Sequence, residues 1–163
     1  MIVVADTSVI LNLCCVGQQE LLPPLFGEIF IPPEVKHEFE RASRAYARFA
    51  WVAVPTWIRE QRPVSVPSSL QQNAHLDAGE IAAIALALEL AASALLIDEA
   101  EGRQAARRQG LTVIGTLGVL VRARQSGLLQ AIAPILDQLE HQANFWIAVE
   151  IRAEALRLVG EAG

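Results

Sequence analysis

Apolar residues in this chain fall into short runs set between longer segments with helical spacing. That alternation sets the first expectation for the fold. Residues 1–5 form a β-branched apolar run with no polar alternation, as in an interior strand of a parallel sheet. The run stops at Asp6, and Val9, Ile10, Leu11 and Leu13 then fall on the rows of a short helix ending near Cys14 and Cys15. Residues 28–31 repeat the strand signal, and Pro33 opens a helix over 34–49. Residues 51–57 are apolar and β-prone, with Pro55 marking an edge strand or a strand end, and 59–72 read as a Pro/Ser-rich loop. Residues 81–92 give a helix that is apolar nearly all round and therefore buried. A second buried strand, 94–97, ends on Asp98. A helix over 99–109 follows, with Gly110 as its C-cap, then a strand over 111–114 and a helix over 117–125. Residues 129–142 and 144–159 read as two closing helices, the second capped by Asn144. Strands alternating with helices predict an α/β fold, a parallel sheet covered on both faces. No repeat or boundary interrupts this order, so residues 1–163 are expected to form one domain that includes the two closing helices, about 129–159.

Composition narrows the class. With 53% hydrophobic and 19% charged residues the chain is not a disordered segment. No apolar run approaches the roughly 20 residues of a membrane span; the longest, 81–96, is interrupted by Glu89 and Ser93. The N-terminus has no basic region and no export signal, which points to the cytoplasm. Cys14 and Cys15 are adjacent, which suits neither a disulfide framework nor a CxxC site, and they read as small core residues. A net charge of −5 opposes a general nucleic-acid binder. Arginines nevertheless gather locally: Arg41, Arg44 and Arg48 on one expected helix face, Arg103, Arg107 and Arg108 on another, and Arg122 with Arg124 on a third. Any one such cluster is, on its own, more often a solvated face.

The acidic residues carry more. Asp6 and Asp98 both end strands, and parallel strands align their carboxyl ends, where open α/β sheets bind ligands. Glu80 begins one helix and Glu38 lies in the first turns of another, near the same edge under the usual crossover rule. Carboxylates brought together repel unless a cation sits among them. An all-oxygen site suits Mg²⁺ or Mn²⁺, which can activate water for attack on phosphorus. Helix capping competes evenly for some of these residues, because Asp77 with Glu80 and Asp98 with Glu101 both have capping-box spacing. Capping does not account for acids at successive strand-to-helix turns. His37, His75 and His141 have no ligand spacing and read as surface or helix-end residues. GxGxxG, Walker A and GxSxG patterns are all missing. A haloacid-dehalogenase-type phosphatase would need a second aspartate where Ser8 stands.

Four segments extend this reading. Asp6-Thr7-Ser8-Val9-Ile10 resembles the first motif of the PIN-domain family, metal-dependent nucleases often found as toxins of bacterial toxin–antitoxin pairs. The second acidic motif is resembled by Ile31-Pro32-Pro33-Glu34-Val35-Lys36-His37-Glu38, and the third by the segment from Leu76 through Asp77 and Glu80 to Ala87. Leu95-Leu96-Ile97-Asp98-Glu99-Ala100-Glu101-Gly102-Arg103 resembles the fourth, with Glu99 where a second aspartate is frequent. Gly115-Thr116-Leu117-Gly118 fits a PIN-like subgroup. The resemblance implies a three-layer α/β/α fold with a central parallel sheet and two extra C-terminal helices. It implies that Asp6, Glu38, Glu80 and Asp98 hold one or two Mg²⁺ or Mn²⁺ ions and carry catalysis. Thr7 or Ser8 would orient Asp6 or a water, and Asp77, Glu99 and Glu101 would back up the site. Arg41, Arg44, Arg103 and Thr116 would meet RNA, whose phosphodiester is hydrolysed by a metal-activated water without a covalent intermediate. The alternative is a PIN-fold binding or regulatory protein without useful catalysis. Expected partners are an antitoxin and, from the apolar faces of 128–139 and 145–158, a second copy of the chain.

Overall fold

A computed structural model describes residues 1–162. In chain order the elements are β1 (Ile2–Ala5), α1 (Thr7–Cys15), a 3-10 turn (Gln19–Leu21), α2 (Leu22–Phe26), β2 (Glu28–Ile31) and α3 (Pro33–Ala45). A second 3-10 turn (Ala47–Phe49), β3 (Arg59–Glu60), α4 (Ser68–Gln71), α5 (Ala78–Glu89) and β4 (Ala94–Leu96) follow. The chain continues through α6 (Ala100–Arg108), β5 (Val113–Ile114), α7 (Thr116–Gln125), α8 (Ala133–Gln142) and α9 (Val149–Leu158).

The five strands form one parallel sheet in the order β3-β2-β1-β4-β5. Strand β1 lies in the middle, with Val3 opposite Ile29 on one side and Ala94 on the other. Val3, Val4 and Ala5 are completely buried, which explains their uninterrupted apolar run. The sheet is covered by helices in the expected three-layer α/β/α arrangement. Helix α5 packs on β1 and β4, α1 packs against α3, α7 and α8, and α9 packs on α7. Progress through the sheet reverses on either side of β1, so the crevice beyond the carboxyl ends of β1 and β4 is the topological switch point of this fold. Two backbone hydrogen bonds extend the ladders to that edge: Asp6 N–H donates to Leu96 O at 2.8 Å, and Ile97 N–H to Ile114 O at 2.9 Å. Among the described residues no single helix is long and apolar enough to cross a membrane.

Several expectations need correction. The edge strand is β3, at residues 59–60 inside the expected loop, and not 51–57. Its two residues are exposed and charged, with Arg59 paired to Glu28 at 2.9 Å and Glu60 to Lys36 at 3.5 Å, so it leaves no hydrophobic trace. Such charges also shield an edge from unwanted pairing. The same loop contains α4. Helix α3 stops at Ala45, because Tyr46 is extended (φ −121°, ψ 126°). Arg48 therefore leaves the face of Arg41 and Arg44 and stacks on Tyr46 and Phe49, 4.5 and 4.8 Å from the ring centres. The closing helices start later than expected, at Ala133 and Val149. Asn144 is no N-cap; it takes a left-handed conformation (φ 54°) in the connection, and Ala148 occupies the cap position of α9. The N-terminus of α8 is satisfied from far along the chain, where the Glu161 carboxylate accepts from the amides of Ile132 and Ala133 at 2.8 and 3.1 Å. Cys14 and Cys15 are free and buried, as expected of core residues.

Gly27 ends α2 and feeds the central sheet. Its backbone sits at φ 77°, ψ −118°, and a Cβ there would lie 2.7 Å from the Met1 carbonyl oxygen. That carbonyl accepts the amide of Glu28 at the start of β2. Gly27→Ala is expected to lower unfolding free energy by about 1–3 kcal/mol, read as a shift in urea midpoint with unchanged slope.

Candidate metal centre

The strand ends and helix starts at the switch point carry the acids. Asp6 follows β1 directly, and its side chain makes no capping bond to α1 although the residue sits at the N-cap position. Ligand oxygens of Asp6, Glu80 and Glu99 all lie within 4.8 Å of one another. Asp6 is only 3% exposed and Glu80 5%, whereas Glu99 is open to solvent at the mouth of the cluster. Asp6 Oδ1 and Glu80 Oε2 are buried and accept no hydrogen bond. Buried acceptors facing one another without donors are costly unless a cation satisfies them.

Glu80 has two tasks. Its backbone amide donates to Asp77 Oδ1 at 2.8 Å, and its Oε1 accepts from the Asp77 amide at 3.0 Å, which completes the expected capping box of α5. The other oxygen, Oε2, points into the cluster. Capping and site-building, competing readings in the sequence, both hold at this residue.

Two more carboxylates flank the cluster, each held by donors. Glu38, from α3, accepts from Thr7 Oγ1 at 2.8 Å and from the Gly79 amide at 3.0 Å. Asp98 accepts from the Thr116 amide and Thr116 Oγ1, both at 2.7 Å, while Ser8 Oγ stands 3.4 Å from Asp98 and from Glu99. Arg103 donates to Ile97 O at 2.9 Å and places its charge near Asp98. Three glycines leave the space these acids occupy. A Cβ on Gly79 would overlap the Glu38 carboxylate, one on Gly102 would lie 2.6 Å from Glu80 Oε2, and one on Gly115 would lie 2.9 Å from Asp98 Oδ1.

Burial is the first cause of raised pKa values throughout the site. It holds Asp6 well above the ordinary carboxylate range, with the charge of Glu99 adding to it. Glu80 is pushed up to about 7 by burial, against the lowering hydrogen bond from Asp77. Glu38, Asp98 and Glu99 are raised in the same direction, again chiefly by burial. Closely spaced carboxylates, two of them with buried unpartnered oxygens, match the donor set of a hard divalent cation.

The structure therefore gathers all four expected ligands at one edge of the sheet, but the group of three converging oxygens includes Glu99 in place of Glu38 and Asp98. Sequence reasoning gave Glu99 a supporting part; only its placement on the turn after Asp98 brings it to the mouth. The expected Asp98–Glu101 capping box does not form. Glu99 is the N-cap of α6 without a side-chain bond, Asp98 turns to Thr116, and Glu101 is exposed. Neither Thr7 Oγ1 nor Ser8 Oγ bonds Asp6; Thr7 holds Glu38 instead. Arg41 places its charge near Glu38, and Arg44 lines a separate cleft with Lys36 and Ser43. Thr116 is fully buried beneath Asp98, where it positions that carboxylate. None of the three histidines belongs to the cluster.

The two aspartates should respond oppositely to neutralisation. In metal-free protein at pH 8, Asp6→Asn and Glu80→Gln are expected to raise the melting temperature by relieving repulsion. Asp98→Asn should lower stability by about 1–3 kcal/mol, because its amide group meets the Thr116 donors. Glu80 also sets a pH dependence. The folded state retains a proton up to about pH 7 that the unfolded chain releases near 4.5, so the proton-linked stability is complete below pH 4.5 and lost as pH rises through 7. Thermal melts of metal-free protein should fall over this window, and Glu80→Gln should flatten the decline.

A family profile described as a PIN domain matches residues 2–161, nearly the entire chain. No curated protein and no solved structure matches the chain. The match agrees with the all-parallel central sheet, and PIN domains are generally metal-dependent nucleases, for which an acidic cluster able to hold a metal is present here. The chain belongs to the PIN-domain family.

Proposed function

We propose that this protein is a metal-dependent endoribonuclease, the toxin half of a toxin–antitoxin pair. The observation that carries the nuclease reading is the pair of buried, unpartnered oxygens, Asp6 Oδ1 and Glu80 Oε2, in a cluster closed by Glu99. These three residues would hold Mg²⁺ or Mn²⁺, the hard cations suited to an all-oxygen donor set. The bound ion lowers the pKa of water and neutralises charge developing on a phosphodiester. The chain's own residues orient and exclude. Thr7 and the Gly79 amide fix Glu38, and Thr116 fixes Asp98, so neither flanking carboxylate swings into the space between Asp6 and Glu80. Burial of Asp6 and Glu80 lowers the local dielectric, which strengthens attraction for a cation. Exposed Glu99 marks the side from which a phosphodiester approaches.

The toxin reading adds a protein partner. The apolar residues Val149 and Leu158 on α9 are exposed, which supports an antitoxin or a second copy as their cover.

The test is calorimetry with Mn²⁺ on metal-stripped protein. Saturable binding to the wild type, abolished in the Asp6→Asn/Glu80→Gln double variant, is expected. Cleavage of single-stranded RNA should then require Mn²⁺ or Mg²⁺, stop with chelator, and fall more than about 100-fold in Asp6→Asn. Absence of binding in the wild type would overturn the nuclease reading and leave a PIN-fold binding protein.

A further inference from the structure

We infer that the cleft running from Asp98 to Trp146 is a subsite for single-stranded RNA, with Trp146 as a base-stacking platform and Arg103, Arg107 and Arg122 as phosphate contacts. The inference rests on the nuclease reading for its link to catalysis, though its chemistry is separate from the acidic cluster. The cleft, about 730 Å³, begins at the Asp98 side of the site and ends at the connection between α8 and α9.

Charge complementarity selects the occupant. Arg107 and Arg122 make no ion pair among the described residues, a state they share with arginines elsewhere on the surface, but both line one cleft that also holds an exposed aromatic ring. Arg103 is partly neutralised by Asp98, so Arg107 and Arg122 are the two guanidinium groups that line this cleft without a counter-charge, in a chain of net charge −5. A polyanion lying there supplies the missing counter-charge without meeting the acids elsewhere on the surface.

The aromatic residue selects the kind of polyanion. Trp146 is 83% exposed, yet its neighbours Ala143 and Ile147 are buried and Phe145 N–H donates to Leu139 O at 3.0 Å. The connection is pinned on both sides of Trp146, so the indole is presented on an anchored segment. Exposed aromatic faces beside arginines are how proteins hold single-stranded nucleic acid, since every base can stack. A duplex keeps its bases stacked inside and gives Trp146 no partner.

The test measures binding of a fluorescent oligouridine in EDTA, where no cleavage occurs, by anisotropy and by quenching of tryptophan emission. Trp146→Ala is expected to weaken binding about 10-fold and to remove most of the quenching, with Trp146→Phe restoring most of the affinity. Arg107→Gln with Arg122→Gln should reduce the salt slope by about 1.4, two single-strand phosphate contacts. An RNA duplex of the same length should bind wild type and Trp146→Ala equally. All these variants should keep the wild-type Mn²⁺ isotherm. Unchanged oligouridine affinity in Trp146→Ala, or no binding by the wild type, would overturn the subsite and assign the cleft to a protein partner, while intact Mn²⁺ binding and cleavage would leave the nuclease reading standing. Loss of Mn²⁺ binding and cleavage alongside a Trp146-dependent affinity would do the reverse.

Discussion

The hydrogen bond from the Asp6 amide to the Leu96 carbonyl fixes where this molecule does its chemistry. It continues the β1–β4 ladder one residue past the strand end, so the chain cannot turn into α1 until Asp6 lies alongside Ile97. The matching bond from Ile97 to Ile114 holds the second strand end on its far side. Both aspartates therefore emerge from backbone that is already hydrogen-bonded and buried. Their separation is set by strand spacing, not by side-chain flexibility. A slip of one residue in this register would send Asp6 to the opposite face of the sheet.

Around that frame, the fold accepts a concentration of unfavourable charge. The core supplies low-dielectric walls, and the five carboxylates respond with pKa values shifted upward. Donors are distributed unequally among them. Asp98 and Glu38 receive backbone and hydroxyl hydrogen bonds, while Asp6 and Glu80 each retain an oxygen with none. Space is distributed with the same economy, since Gly79, Gly102 and Gly115 each stand where a methyl group would strike a carboxylate. Arginines flank the acids without closing on them: Arg41 lies near Glu38 and Arg103 near Asp98, and neither forms an ion pair among the described residues.

Much of this was legible in the sequence because the signals were local. Buried strands wrote themselves as short uninterrupted apolar runs, the aspartates closed those runs, and Asp77 with Glu80 showed capping-box spacing that the structure reproduces. Features built from long-range geometry left no such trace. Strand β3 consists of two charged residues recognisable only by their pairing with Phe30 and Ile31. The entry of Glu99 into the cluster, and the departure of Asp98 toward Thr116, depend on how the turn after β4 meets the start of α7. Glu161 caps α8 from 28 and 29 residues away, beyond any spacing rule. Trp146 reads as an ordinary apolar residue of a closing helix until its exposure is seen.

The double engagement of Glu80 makes the first turn of α5 a transducer. One carboxylate oxygen clamps the amide that begins the helix, the other faces the acidic cluster, and the next-door amide of Gly79 grips Glu38. Any ligand that draws on Oε2 redistributes charge over the whole carboxylate and alters the hold on that turn. Occupancy of the centre and ordering of the segment before α5 are thus thermodynamically linked, and by reciprocity whatever loosens that segment weakens the centre.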